Sequence, residues 1–151
     1  MHEFEQLEDT LSAKLEPLKT SHGLRTLEPY AGQLSDAAEL ERMTARFPAI
    51  YTAVEDMGFE VQNRALIMEI RFGLIIGDRH VRGPEDASRG DGLTVGVYAL
   101  LEQVRQLIHN TRLLDGWTPA SVQSETPIIV APRHAACVFG ARYRIRAKGD
   151  H

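Results

Sequence analysis

The chain has 151 residues, of which 43% are hydrophobic and 25% charged, and a formal net charge of −4. That is enough for one domain with one core. It excludes a disordered polymer and carries the wrong sign for a protein whose main task is to hold DNA. The single cysteine, Cys137, excludes an internal disulfide and fits a reducing cytosol.

The N-terminal stretch MHEFEQLEDTL is acidic and lacks an apolar run, so it does not read as a signal peptide. Phe4, Leu7, Leu11, Leu15 and Leu18 form one apolar stripe, which predicts an amphipathic helix over residues 3–19, with Pro17 at its last turn or a kink. Ser21, His22 and Gly23 predict a turn. RTLEPY at 25–30 reads as an edge strand because Pro29 lacks an N–H. Asp36 and Glu39 have capping-box spacing and open a short helix over DAAELERMTARF, which Pro48 stops. AIYTAVEDM at 49–57 reads as a strand, with Glu55 and Asp56 as solvated carboxylates at its end.

From Leu66 the pattern has period two. Leu66, Met68, Ile70, Phe72, Leu74 and Ile76 share one face of a long strand, and Glu69, Arg71 and Gly73 lie on the other. Residues 77–92, GDRHVRGPEDASRGDG, then predict a long, flexible, polar loop. LTVGVYALLEQVRQLIHNTRLL reads as the longest helix, closed by Asp115 and Gly116. Two strands, 121–130 and 135–147, form a C-terminal hairpin. Strands in adjacent pairs predict a single α+β domain over 1–151: a mostly antiparallel sheet with helices packed on one face.

No spacing among the histidines and Cys137 matches a zinc site, and Cys137 reads as a small buried hydrophobe. The 77–92 loop lacks the Gly-Lys-Ser/Thr ending of a phosphate loop. Its Asp78, Glu85, Asp86 and Asp91 lack calcium-loop spacing. No nucleophile elbow and no paired carboxylates stand in a catalytic pattern. The expectation is a protein that is not an enzyme, with no cofactor and no metal.

The most distinctive feature is ARYRIRA. Arg142, Arg144 and Arg146 occupy alternate positions, so a strand would place them on one face and Tyr143 and Ile145 on the other. Such a row can solubilise a sheet, meet phosphates, or meet acidic groups of another subunit. Base-stacking proteins put aromatics on the same face as the arginines, and here Tyr143 and Phe139 lie opposite. An acidic partner remains open, since Glu3, Glu5, Glu8 and Asp9 of a second copy would supply one.

TLEPYAGQL, FPAIYTAVEDMGF, FGLIIGDRHVRGPEDASRGD and GVYALLEQVRQLI, in that order, resemble a family of small tail proteins from Mu-like bacteriophages and prophages. The landmarks are Tyr30 with Gly32, Pro48 with the strand after it, the arginine-glycine loop, and Gly96 with Tyr98, Ala99 and Leu100. The resemblance implies a tail terminator: an α+β subunit of a ring, commonly a hexamer, capping the head-proximal end of the tail tube. Its implied partners are copies of itself, the tail tube protein, the sheath protein of a contractile tail and the head-tail connector. DNA passes through the lumen without specific binding, and no membrane is involved. Its implied place is the neck-proximal virion tail, after assembly in the host cytoplasm. The family supplies no catalytic residues, so interface candidates follow from position alone: Arg79, Arg82 and Arg89 of the loop, and Arg142, Arg144 and Arg146 of the last strand. The alternative is a nucleic-acid-associated protein using the same arginines. An enzyme with an unfamiliar site ranks third.

Overall fold

In a computed structural model the described residues are 1–30, 42–79, 96–131 and 136–149. The elements are α1 (Glu3–Leu15), α2 (Leu18–Ser21), β1 (Thr26–Pro29), β2 (Ala49–Gln62), β3 (Ala65–Arg79), α3 (Val97–Ile108), β4 (Ser121–Ala131) and β5 (Ala136–Gly149). The strands form one sheet in the order β1-β2-β3-β5-β4. β1 pairs parallel with β2, and the other neighbours are antiparallel. The α+β expectation therefore holds, and the sheet is mostly antiparallel, with one parallel pair at its β1 edge.

The expected N-terminal helix divides at Pro17. α1 stops at Leu15, and Pro17 caps the short α2, where a missing N–H costs nothing. Leu7, Leu11 and Leu15 are fully buried on one stripe of α1. Val97, Leu100, Leu101, Val104 and Ile108 do the same on α3. The α3 stripe packs on β3 and β5 and the α1 stripe on β1, β2 and α3, over one core in which Ile70, Phe72, Leu74 and Ile76 of β3 have no exposure. β5 adds Cys137, Ala141, Tyr143 and Ile145 to this core, and Tyr143 stacks on Phe72 with centroids 5.5 Å apart.

α3 is shorter than the sequence implies. It ends at Ile108, because Asn110 takes a left-handed φ of 61° and its N–H donates to the Ala120 carbonyl at 2.7 Å. Leu113, Leu114 and Trp117 then fold back onto the core outside any helix. Of the helix expected at 36–47, the described part is helical only at 42–44, and residues 31–41 lie outside the described residues.

The helices on one face are not the whole cover. Met43 and Phe47 lie on the opposite face with Ala49, Tyr51, Ala136 and Val138. The far end of the Phe47 ring packs on Gly77, where an added Cβ would come within 2.4 Å of it. That second, smaller core protects one end of the sheet's other face and leaves the rest open.

Candidate functional site

The open part of that second face is built from β2, β3 and β5. β2 does not end at Met57 as expected; it runs to Gln62 and turns into β3 through Asn63 and Arg64, both with positive φ. Two left-handed residues are what a two-residue hairpin of matching twist requires. The register slips between Val54 and Asp56, so Glu55 is an extra residue in β2. Such a bulge breaks strict alternation. Glu55 and Asp56 both reach arginines of this open face.

Alternation places Glu69 and Arg71 of β3, and Arg142, Arg144 and Arg146 of β5, on this same face. The register sets Arg71 beside Arg144 and Glu69 beside Arg146. The side chains form a connected lattice. Arg142 Nε donates to Glu55 Oε1 at 3.0 Å. Arg146 Nε donates to Glu69 Oε1 at 2.8 Å, and an Arg144 terminal nitrogen stands 3.7 Å from the same oxygen. Arg71 makes a fork to Asp56, with both hydrogen bonds at 3.0 Å. It also lies 3.9 Å from Glu69 Oε2. Glu69 is thus shared by three arginines.

The row expected to await a partner is therefore largely matched within its own chain. Four arginines face three carboxylates. A face so balanced gives little steering toward phosphate, which needs an excess of positive charge. Sequence reasoning missed Glu55, Asp56 and Glu69 as the partners. The signal was the alternation of Glu69 and Arg71 on the polar side of the long strand.

Of the loop candidates, Arg79 is the last residue of β3 and is exposed. The expected loop begins later than residue 77, since Gly77, Asp78 and Arg79 belong to the strand. Arg79 pairs with Ala136, six positions along β5 from Arg142, which is about 20 Å of strand. The structure does not bring it to the row. Arg82 and Arg89 lie outside the described residues.

Asp78 is no cation ligand in waiting. It is 3% exposed. Its Oδ1 accepts the Arg79 N–H at 2.7 Å and its Oδ2 accepts the Gly96 N–H at 3.0 Å. Gly96 is the N-cap of α3 with φ 81°, a conformation only glycine adopts without strain. The carboxylate thereby fastens the end of β3 to the start of α3. Cys137 is buried, as expected of a small core residue. Among the described residues no group of three or more His, Cys, Asp or Glu side chains gathers as a metal would need. No helix of the described residues is long and apolar enough to cross a membrane.

Among the described residues, the hydroxyls of Tyr51 and Tyr143 are buried without a hydrogen-bond partner. Burial, reinforced by the nearby Glu125 carboxylate and opposed by Arg105, pushes the Tyr143 phenol up to about 12. Burial also raises Tyr51. Both hydroxyls are surrounded by core side chains, one in each apolar cluster.

Comparison places this α+β chain, with its charge-matched sheet face, among the proteins of Mu-like phages and prophages. The family model described as Bacteriophage Mu, Gp37 matches residues 3–144, nearly the whole chain. The chain belongs to that family. No curated protein matches it.

Proposed function

We propose that this chain is the tail terminator of a Mu-like phage or prophage particle. It caps the head-proximal end of the tail tube as a ring of copies, halts tube growth, and presents a docking surface to the head-tail connector. In a contractile tail it also meets the last layer of sheath. Its work is done by surfaces, with no catalytic step.

The observation that carries this reading is the family match over 3–144, which covers the same stretches that resemble small tail proteins. The charge-matched open face supports it from the physical side. Protein surfaces that come together without losing specificity pair their charges, and a pre-paired lattice carries less unpaired charge into a contact. In this reading the exposed outer nitrogens of Arg142, Arg144 and Arg146 take part in contacts between subunits or with the tube. The nucleic-acid alternative is weakened by the same lattice, because the row's carboxylate partners oppose phosphate.

The test is a lysate from a phage or prophage lacking the gene. The reading expects tail tubes of uncontrolled length and heads without tails in electron micrographs. Tails of normal length on filled heads would remove it.

A further inference from the structure

The apolar face of the sheet continues beyond the cover of the helices. β2, β3 and β5 run on together as a three-stranded arm, in register from Met57 opposite Ile70 to Gln62 opposite Ala65, and to Gly149 opposite Leu66. β1 pairs only with Ala49 to Thr52, so the outer edge of the arm is free of it. On the helix side of the arm, Phe59 is 64% and Val61 70% exposed. They are successive residues of one strand face, beside the half-buried Leu66 and Met68. Single exposed apolar residues are ordinary, but a stripe that extends the core onto a projecting edge marks a contact surface.

The opposite face holds a hollow of about 450 Å³. Tyr30, Ile75 and Ile128 wall it, over a floor that includes Ala53, Gly73 and Gly140. Glu55 and Arg142 stand at its rim. Nothing larger than a methyl group on that floor fills the space. At Gly140 an added Cβ would come within 2.9 Å of Ile128.

We propose that the arm of one copy docks in the hollow of a second copy, with Phe59 as the inserted side chain. The chain itself supplies both the apolar projection and the apolar depression. They lie on opposite faces, and Phe59 is six residues along β2 from Ala53, about 20 Å. One copy therefore cannot satisfy itself, and the contact is head-to-tail, the kind that closes into a ring when the rotation allows. The apolar groups lead the contact: Glu60 lies on the arm's other face, and Glu55 and Arg142 at the hollow's edge already pair with each other. This inference rests on the self-association in the proposed function and deepens it by naming the contact.

The test uses the full chain and its solution mass by light scattering over a range of concentrations. Wild type is expected at a multiple of 16.9 kDa. Phe59→Glu on the arm, with Val61→Glu as its second version, and Thr126→Trp in the hollow should each associate at least about thirtyfold more weakly. Each should keep the far-UV spectrum of wild type. Phe59→Glu retains a good hollow and Thr126→Trp a good arm, so an equal mixture should form a heterodimer and nothing larger. A wild type that stays monomeric, arm variants that assemble like wild type, or a mixture that remains monomeric would each overturn the contact. The outcomes separate from those for the terminator. Assembly through the arm with tubes left uncapped defeats the terminator reading alone. Capped tubes with normal assembly of Phe59→Glu defeat this contact alone.

Discussion

Arg142 and Glu55 are joined at 3.0 Å although they sit on strands that are not neighbours. β3 lies between them, and the residue they cross is Gly73, where an added Cβ would stand 3.4 Å from Glu55 Oε1. The bulge at Glu55 aims the carboxylate and the glycine leaves the path clear. Both partners are solvent-accessible, with Arg142 68% exposed, so the pair holds a surface in shape more than it stabilises the fold. A double-mutant cycle with Glu55→Ala and Arg142→Ala should give a coupling below about 1 kcal/mol in urea denaturation. A coupling of several kcal/mol would mean that the lattice is a stability element.

Glu69 is the shared acceptor of Arg71, Arg144 and Arg146, so its loss should change the character of the face. Glu69→Gln leaves four arginines against two carboxylates. We expect the variant to elute from immobilised heparin at distinctly higher salt than wild type, with a stability change of about 1 kcal/mol or less. Unchanged elution would show that the carboxylate does not govern how the face meets a polyanion.

Asp78 supports two backbone N–H groups from within the protein. Asp78→Ala leaves them without that acceptor, which should cost about 2–3 kcal/mol and lower the urea midpoint at unchanged slope. Asp78→Asn keeps one oxygen and should fall between the two. A neutral Asp78→Ala would contradict the latch between β3 and α3.

Much of this organisation was legible in the chain, and the failures have physical causes. The long strand showed itself because every even position from Leu66 to Ile76 is apolar, and the arginine row because Arg142, Arg144 and Arg146 stand at alternate positions. The sequence pattern of β2 looks shorter than the strand because the bulge at Glu55 breaks the alternation and Gly58 lowers strand propensity. The turn at Asn63 and Arg64 was hidden because arginine is an unusual occupant of a left-handed position. α3 looked longer than it is because Leu113 and Leu114 are core residues that keep the apolar pattern going after the helix ends. Most of the site was missed for one reason. Glu55 and Arg142 are 87 residues apart, and only strand order brings them together.

Tyr143 gives the molecule an alkaline weakness. Its phenol is held up at about 12 in the folded protein, against about 10 when unfolded. Below pH 10 both states keep the proton and the residue is silent. Between pH 10 and 12 the unfolded chain loses the proton first, so stability falls as pH rises, by about 2–3 kcal/mol in all. Tyr143→Phe also removes a buried hydroxyl that has no hydrogen-bond partner among the described residues, and should be neutral or slightly stabilising at pH 7. Urea titrations at pH 7 and pH 11 should show a smaller alkaline loss in the variant. Equal losses would place the alkaline sensitivity elsewhere.

The proposed role of this chain is to close the end of a growing tail tube. The most direct measurement adds the purified chain to tube protein that is polymerising, then images tube ends and lengths in negative stain. Tubes should become shorter as the chain is increased, with added density at one end only. Tubes of unchanged length and two bare ends, with the chain left in solution, would contradict it.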